Sequence, residues 1–430
     1  MSGYRLIHRE QVLGQDTAVW SLVSTPLICR RASSAAATAG SSSSSEALSW
    51  RVWAACSDGL IRTYLVKEVS LAQKESSLTA SALDFGEQPT HILKPSSSSS
   101  AETSSSSVAL GCACLSILRN YAGEDDAAGN VIVAGMDISG ILRLWELDEN
   151  LDQSSSDDQQ HDVAPLVELT VPQATGTAIA LAPPRTIMPH LKCLLVAVAL
   201  LDGSVSLIST GIAVPTTTTT AADAQQVPAA GTVVESWSTG SALACRLVFR
   251  PNMAQLAVSR QDGTVDLIPM SSSSSTAPTP EEGGKQRLHR LSHLTAAPAR
   301  ALTFTTDGAL LIAGNDHGRI IIWDVTRPNG VPAIVNHQVQ ATTGTSAWLW
   351  QFAAVDGRRF LSLATDRTIR VWQVDQIHHQ PLHSFTSSDD IRLWSISRPA
   401  LGSKTNPHPP RLVAGSENGW LQVYSLVEKV

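Results

Sequence analysis

A short hairpin-like pattern recurs seven times along this chain of 430 residues, and the repetition limits the possible folds more than any other feature. Each copy has an apolar run, a polar turn that usually contains glycine, and an alternating segment that ends in Trp, Tyr or Ile. Alternation of period two around a turn residue that tolerates positive φ predicts a β-hairpin. The turn residues are Gly59, Gly140, Gly203, Gly263, Gly318, Arg367 and Gly419, and the end residues are Tyr64, Trp145, Ile208, Ile268, Trp323, Trp372 and Tyr424.

Each predicted hairpin follows another short apolar strand, and most hairpins precede a more polar one. The preceding segments are 17–24, 112–118, 177–183, 244–251, 299–308, 347–357 and 390–397. The following segments include 91–95, 166–171, 233–238, 287–293 and 381–387. Four strands per repeat, with repeats near the length of a propeller blade, predict an all-β, seven-bladed β-propeller. We expect the whole chain, 1–430, to form this single domain.

The two ends of the chain are unequal in a way that suggests how the ring closes. Only residues 427–430 follow the last hairpin, whereas a spare alternating segment, 4–12, precedes the first inner strand. We therefore expect the N-terminal strand to pair with the last blade, because closure removes an exposed sheet edge.

Low-complexity stretches interrupt the repeats between predicted strands. They are rich in Ser, Ala, Thr or acidic and amide residues, and they lie at about 31–47, 96–107, 148–163, 215–232 and 271–285. Such compositions bury too little apolar area to order themselves, so we expect loop insertions.

Composition and charge exclude several classes of partner. The formal net charge is −7, which gives no broad attraction to phosphate backbones or anionic membranes. The sequence contains no run of about 20 apolar residues, so we expect neither a signal peptide nor a membrane span. We expect an intracellular protein with no direct nucleic-acid binding and no membrane association.

Segments 4–24, 292–325, 360–374 and 381–396 carry a family resemblance. They are similar to the WD-repeat subunit of the superkiller (SKI) complex, a family that also occurs in the Paf transcription-elongation complex. The resemblance covers all seven repeats in order and is clearest in repeats one, five, six and seven. The chain departs from the usual pattern because Gly-His is absent and Trp-Asp occurs once, at Trp323 and Asp324.

The resemblance implies a non-catalytic WD-repeat scaffold for protein-protein interaction. Its partners would be a tetratricopeptide-repeat (TPR) scaffold protein and an RNA helicase, in mRNA decay by the cytoplasmic exosome. Relatives that act in transcription elongation imply a nuclear role as well, so the expected localisation is cytoplasmic and nuclear.

The predicted partner-binding face is the side of the ring on which the inner strands begin. Short peptide segments would dock there. Tryptophans and arginines concentrate there in blades five, six, seven and one, a composition typical of interface hot spots. Asp16, Asp389 and Asp390 suggest an acidic rim, so we expect a peptide with an apolar anchor and an Arg or Lys. The predicted site residues are Trp20, Trp348, Trp350, Trp394, Arg300 and Arg392.

Tryptophans in propellers more often pack between blades, and we expect this of Trp145, Trp323 and Trp372. For Trp20, Trp350 and Trp394 the surface role is favoured, because the preceding Val19, Leu349 and Leu393 supply the core side of the alternation. Arginines such as Arg300 and Arg392 are more often solvated side chains, so their place in the site depends on the aromatic neighbours.

The sequence offers no recognised catalytic set, and we expect no enzyme activity, cofactor or metal. His378, His379 and His383 are the only local histidine cluster and fit a solvated loop better than a metal site. Gly283, Gly284 and Lys285 lack the rest of a phosphate-binding loop. Two alternatives stay open: a propeller hydrolase of the diphthamide-methylesterase type, and a substrate receptor of a ubiquitin ligase.

Overall fold

The computed structural model describes residues 3–11, 17–26, 49–69, 82–85, 89–95, 112–119, 130–148, 161–182, 193–214, 227–238, 242–270, 289–291, 296–326, 333–339, 347–377, 380–387, 392–398 and 411–427. The predicted insertions at 31–47, 96–107 and 271–285 lie outside these residues, as does most of 215–232.

The described residues form thirty β-strands and one short 3₁₀ helix, Val374–Gln376. The strands of the first half are β1 Gly3–Gln11, β2 Val19–Pro26, β3 Ser49–Cys56, β4 Ile61–Val69, β5 Ala82–Phe85, β6 His91–Leu93, β7 Cys112–Arg119, β8 Asn130–Asp137, β9 Ile141–Asp148, β10 His161–Val163, β11 Val167–Thr170, β12 Ala174–Ala182, β13 Cys193–Leu200, β14 Val205–Ala213 and β15 Val233–Trp237. Those of the second half are β16 Ala244–Phe249, β17 Gln255–Arg260, β18 Val265–Pro269, β19 His289–Leu291, β20 Ala301–Phe304, β21 Leu310–Gly314, β22 Arg319–Asp324, β23 Ala333–Gln338, β24 Leu349–Ala354, β25 Arg359–Ala364, β26 Thr368–Gln373, β27 His383–Thr386, β28 Leu393–Ser397, β29 Arg411–Ser416 and β30 Trp420–Val427.

The strands form seven sheets arranged in a ring. One edge strand of each sheet lies toward the centre, and these inner strands are β2, β7, β12, β16, β20, β24 and β28. Each inner strand contacts the next, and β28 contacts β2, so the ring is closed. The prediction of an all-β, seven-bladed β-propeller is confirmed.

The hairpin turns have the backbone conformation that their sequence predicts. All six glycines at the turn position have positive φ, and Arg367, which replaces glycine in blade six, also adopts φ 65°. Acidic side chains complete several of these turns; the Asp137 carboxylate, for example, accepts hydrogen bonds from the backbone N–H of Ser139 and Ile141 at 2.9 and 3.0 Å. Such side-chain caps stabilise tight turns without help from the rest of the sheet.

The hydrophobic core lies between neighbouring blades rather than within one of them. Trp145, Trp323 and Trp372 are all buried, as expected for tryptophans that pack between sheets. Trp372 also donates a hydrogen bond from Nε1 to Ser362 Oγ at 2.8 Å. Gly314 is required by this close packing, because a Cβ there would lie 2.5 Å from Phe352 Cζ in the next blade.

The seventh sheet contains both ends of the described chain. Its order is β1-β30-β29-β28, and β1 runs antiparallel to β30 over its whole length, from Gly3 opposite Val427 to Gln11 opposite Trp420. The outermost strand of this blade is therefore the first strand of the chain, and it covers an edge of β30 that would otherwise be unpaired.

Blade one has two strands that the sequence did not predict. Part of the expected insertion 148–163 forms β10, which pairs in parallel with β6, and β5 pairs with the end of β4. The sequence predicted only a loop here, because a strand of three residues is too short to show an alternating pattern. An ion pair between Lys94 and Asp162, 2.6 Å long, joins β10 to blade one.

A buried ion pair in blade four gives a test of the packing. Arg260 Nε lies 2.6 Å from Asp266 Oδ2, with both side chains essentially inaccessible, and Arg260 Nη1 donates to the Gly203 carbonyl of blade three at 2.7 Å. We expect Asp266→Asn to lower the free energy of unfolding by about 3–5 kcal/mol, because Arg260 would keep its charge without a carboxylate. Urea denaturation measures this change.

The exposed ion pair between Lys94 and Asp162 provides the control for that experiment. Asp162→Asn removes the carboxylate that contacts Lys94, where both side chains are about half exposed, and should cost about 1 kcal/mol or less. Equal losses of unfolding free energy in the two variants would contradict a buried ion pair between Asp266 and Arg260.

Candidate partner-binding site

Three tryptophans stand at the same structural position in blades one, six and seven. Each is the second residue of its inner strand, and the pairing register with the second strand shifts across Trp20, Trp350 and Trp394. A register shift of this kind is a β-bulge, which leaves one residue out of the ladder and changes the direction of its side chain. The preceding Val19 and Leu349 are fully buried, whereas the three tryptophans remain partly exposed.

These positions lie on the top face, which we define as the face where inner strands begin and hairpin turns lie. In blade six this arrangement is fixed by two hydrogen bonds: Thr365 in the turn donates its backbone N–H to the Trp348 carbonyl at 2.9 Å, and Trp348 N–H donates to Thr365 Oγ1 at 3.1 Å. Trp348 is thereby held at the mouth of the ring with 46% of its surface exposed.

The aromatic rings of blades six and seven contact each other and an arginine from blade five. The Trp350 and Trp394 ring centroids are 5.0 Å apart with an interplanar angle of 69°, an edge-to-face pair. Arg300 Cζ lies 5.4 Å from the Trp350 centroid and 6.0 Å from that of Trp348, within cation–π range. Asp316 orients this guanidinium, with Oδ1 2.9 Å from Arg300 Nε.

Two adjoining clefts open at this cluster. The first cleft, about 440 Å³, lies between blades five, six and seven, and the second cleft, about 490 Å³, reaches from blade one across to blade four. Both are lined by Arg300, Trp350 and Trp394. All six residues chosen from the sequence line one cleft or both: Trp348 and Arg392 the first, Trp20 the second, and Arg300, Trp350 and Trp394 the two together.

Sequence reasoning missed other residues of these clefts. Arg367 lines the first cleft, and Cys245, Arg246 and Gln261 line the second. Arg367 and Cys245 had a usable signal, since one occupies the glycine position of its turn and the other the bulge position of its inner strand. Arg246 and Gln261 gave none, because only the assembled ring brings blade four toward the tryptophans of blades six and seven.

Several sequence expectations fall outside the described residues. Asp16, Asp389 and Asp390, on which the expected acidic rim depends, are among them, as are His378 and His379. Within the described ranges, no group of three or more His, Cys, Asp or Glu side chains is placed to hold a metal ion. In the described part of the chain, no helix is long and apolar enough to cross a membrane.

Comparison with known proteins gives one informative similarity. No family model matches the sequence. The chain is similar to U3 small nucleolar RNA-associated protein 15 of Saccharomyces cerevisiae, with 26% identity over 123 residues. That stretch is 28% of this chain and 21% of the yeast protein, so the match spans about a fifth of that relative's length. Together with the ring of seven sheets, this supports a WD-repeat-like propeller.

Cys245 provides a chemical probe of the second cleft. Burial raises the pKa of its thiol to about 11, although the nearby Arg300 charge acts in the opposite direction. At neutral pH a shift from 9.0 to about 11 leaves about 100-fold less thiolate, the form that reacts with alkylating agents. We expect iodoacetamide to label Cys245 in the native protein about 100-fold more slowly than after unfolding, as followed by peptide mass spectrometry. Equal rates would show that the thiol is neither buried nor shifted.

Proposed function

We propose that this protein is a non-catalytic scaffold that binds a segment of a partner protein on its top face. The main observation in support is a group of tryptophans together with the two clefts that it lines. We call this group the tryptophan cluster, and it consists of Trp20, Trp348, Trp350 and Trp394. Indole rings held at a cleft by rigid strands offer a large contact area with little loss of conformational entropy, as at interface hot spots.

The clefts support binding rather than catalysis. Among the residues that the structure describes, those that line the clefts include no His, Asp or Glu that could transfer a proton. Cys245 is the one thiol among the described lining residues, and its pKa is raised to about 11, which disfavours the reactive thiolate. These observations favour the scaffold over a propeller hydrolase of the diphthamide-methylesterase type.

We further propose that the scaffold belongs to an assembly that acts on RNA, while its own contacts are with protein. The resemblance to the SKI and Paf subunits suggests a TPR-repeat protein and an RNA helicase as partners, in the cytoplasm, the nucleus or both. The similarity to a yeast protein named for its association with U3 small nucleolar RNA adds support for an RNA-related assembly. The negative formal charge of −7 supports contact through protein partners.

Affinity purification of the full chain from its own cells, with quantitative mass spectrometry, tests this assignment. A helicase and a TPR-repeat protein recovered together in stoichiometric amounts would support the SKI-like role. Cullin adaptors in their place would indicate a ubiquitin-ligase receptor. Recovery of no stoichiometric protein partner would contradict the scaffold proposal.

A further inference from the structure

A third cavity lies in the central channel, deeper in the ring than the two clefts. Its volume is about 280 Å³, and inner strands of blades one to six line it. Among the described residues it shares none with the first cleft, and it meets the second cleft at Trp20 and Arg246. One water molecule occupies about 30 Å³ in the liquid, so this central cavity has room for several waters or for one small solute.

Arg246 is the one charged side chain among the described residues that line the central cavity. The other lining side chains are apolar or carry a hydroxyl or thiol group, and those described include no Asp, Glu or His. A guanidinium stays protonated in proteins. The cavity therefore contains a permanent positive charge between mostly apolar walls.

Arg246 occupies a structural position that is neutral in several other blades. The pairing register of β16 shifts immediately before it, between Ala244 and Arg246. The residues that follow the same shift in blades one, two, six and seven are Ser21, Cys114, Gln351 and Ser395. In blade six this position joins two blades, since Gln351 Nε2 donates to the Ile396 carbonyl of blade seven at 2.9 Å. Within the described ranges the Arg246 guanidinium makes no such bond, so assembly of the ring does not explain its charge.

The charge of Arg246 also has no carboxylate to balance it in the part of the chain that the structure describes. Burial lowers the pKa of Arg246, and the group that acts in the opposite direction is the Cys114 thiol. That thiol is neutral at physiological pH, because burial raises its pKa to about 12 even though the Arg246 charge acts against the rise. A buried cation without a counter-ion is costly, and an anion that enters beside it lowers the cost.

Hydroxyl groups on neighbouring inner strands provide further hydrogen-bond donors to the cavity. Ser116 Oγ accepts a hydrogen bond from the Leu181 N–H at 3.0 Å, and its own hydroxyl hydrogen remains for another acceptor. Ser21 adds a second hydroxyl, from blade one. An arginine binds carboxylates and phosphates through two parallel N–H···O bonds, so a guanidinium beside hydroxyl donors suits a ligand with several oxygen acceptors.

We propose that the central cavity binds a small oxyanion, with the Arg246 guanidinium as its main partner and the Ser21 and Ser116 hydroxyls as additional donors. The class includes phosphate, sulfate and small carboxylates, which share negatively charged oxygen acceptors. The ligand enters past Trp20, where the cavity meets the second cleft. This site is separate from the partner-binding surface, and the inference goes beyond the proposed function without depending on it.

Isothermal titration and thermal unfolding of the full-length protein, with inorganic phosphate, sulfate or acetate, test the proposal. Sodium chloride at matched ionic strength is the reference salt. Phosphate and sulfate stabilise folded proteins in general because they are excluded from protein surfaces, so each anion is compared between the parent protein and its variants. The variants are Arg246→Gln and Arg246→Lys, with Arg358→Gln as a matched control. Arg358 is 75% exposed and lies in the turn at the opposite end of blade six.

We expect saturable binding of at least one of the three anions. At about ten times its dissociation constant, that anion should raise the melting temperature by about 2 °C or more above the chloride reference, in the parent and in Arg358→Gln alike. Arg246→Gln should lose at least about tenfold in affinity, and Arg246→Lys should keep part of it, because lysine retains the charge without the paired N–H donors. Without the anion, Arg246→Gln should melt no lower than the parent, because it lacks the unbalanced buried charge.

Two results would overturn the inference. The same affinity for the anion in the parent and in Arg246→Gln would show that the anion binds elsewhere. Saturable binding of none of the three anions to the parent would show that water alone solvates Arg246. If binding is found, its preference distinguishes the source of the ligand: phosphate or sulfate above acetate indicates a tetrahedral oxyanion, and acetate above both indicates a carboxylate.

Discussion

Deletion of residues 3–11 should convert most of the protein into aggregates. These residues form β1, which pairs with β30 along its whole length. Without it, β30 would expose a long row of unpaired N–H and C=O groups, and such edges recruit other strands. Any soluble fraction should melt on the order of 10 °C lower than the parent protein. Size-exclusion chromatography and thermal denaturation give the two measurements.

A deletion of equal length supplies the control. Residues 271–279 are Ser- and Thr-rich and are predicted from the sequence to form a loop insertion, so their removal should leave the melting temperature within a few degrees, since surface loops tolerate changes in length. If deletion of residues 3–11 leaves a monodisperse protein with an unchanged melting curve, the pairing of β1 with β30 does not support the fold.

The simultaneous replacement of Trp20, Trp350 and Trp394 by Ala should abolish partner binding while the ring stays folded. One hot-spot tryptophan contributes about 2 kcal/mol, or about 30-fold in affinity. Because Trp350 and Trp394 contact each other, their contributions should not simply add. We expect a combined loss of at least about 1,000-fold, measured by isothermal titration with the purified partner.

Exposed apolar residues elsewhere provide a matched control for this variant. Leu166, Leu201 and Val233 are each more than half exposed and do not line either cleft. Their joint replacement by Ala removes apolar surface of the same kind and should leave the affinity unchanged. Binding that survives loss of the three tryptophans, in a protein with a native circular dichroism spectrum, would place the partner on another surface.

The fold could be predicted because its signals are local and repeated. A turn residue with positive φ and an alternating strand leave a pattern in each blade, and even Arg367 in the glycine position adopts the conformation required by its turn. The repetition then determined the architecture, since seven alike sheets have few ways to bury their faces. Strand β10 escaped prediction because it is short and pairs with a blade other than its own.

The candidate site could be predicted only in part. Trp20, Trp350 and Trp394 were found because they share one position in the repeat, and the structure explains that position as a β-bulge. Arg246 was not found, because its environment depends on how inner strands from several blades enclose the central cavity. Local patterns reveal where a side chain lies on its own strand, whereas the charge of a cleft depends on contributions from across the ring.

Hydrogen–deuterium exchange of the free protein and its partner complex tests the central claim most directly. If the tryptophan cluster is the binding surface, the backbone amides of 347–351, 364–368 and 392–395 should exchange more slowly in the complex. These segments form the first cleft. The turn at 355–359, at the other end of blade six, should exchange at the same rate in both states. Protection confined to that opposite face, with no change around Trp348 and Trp394, would contradict the account.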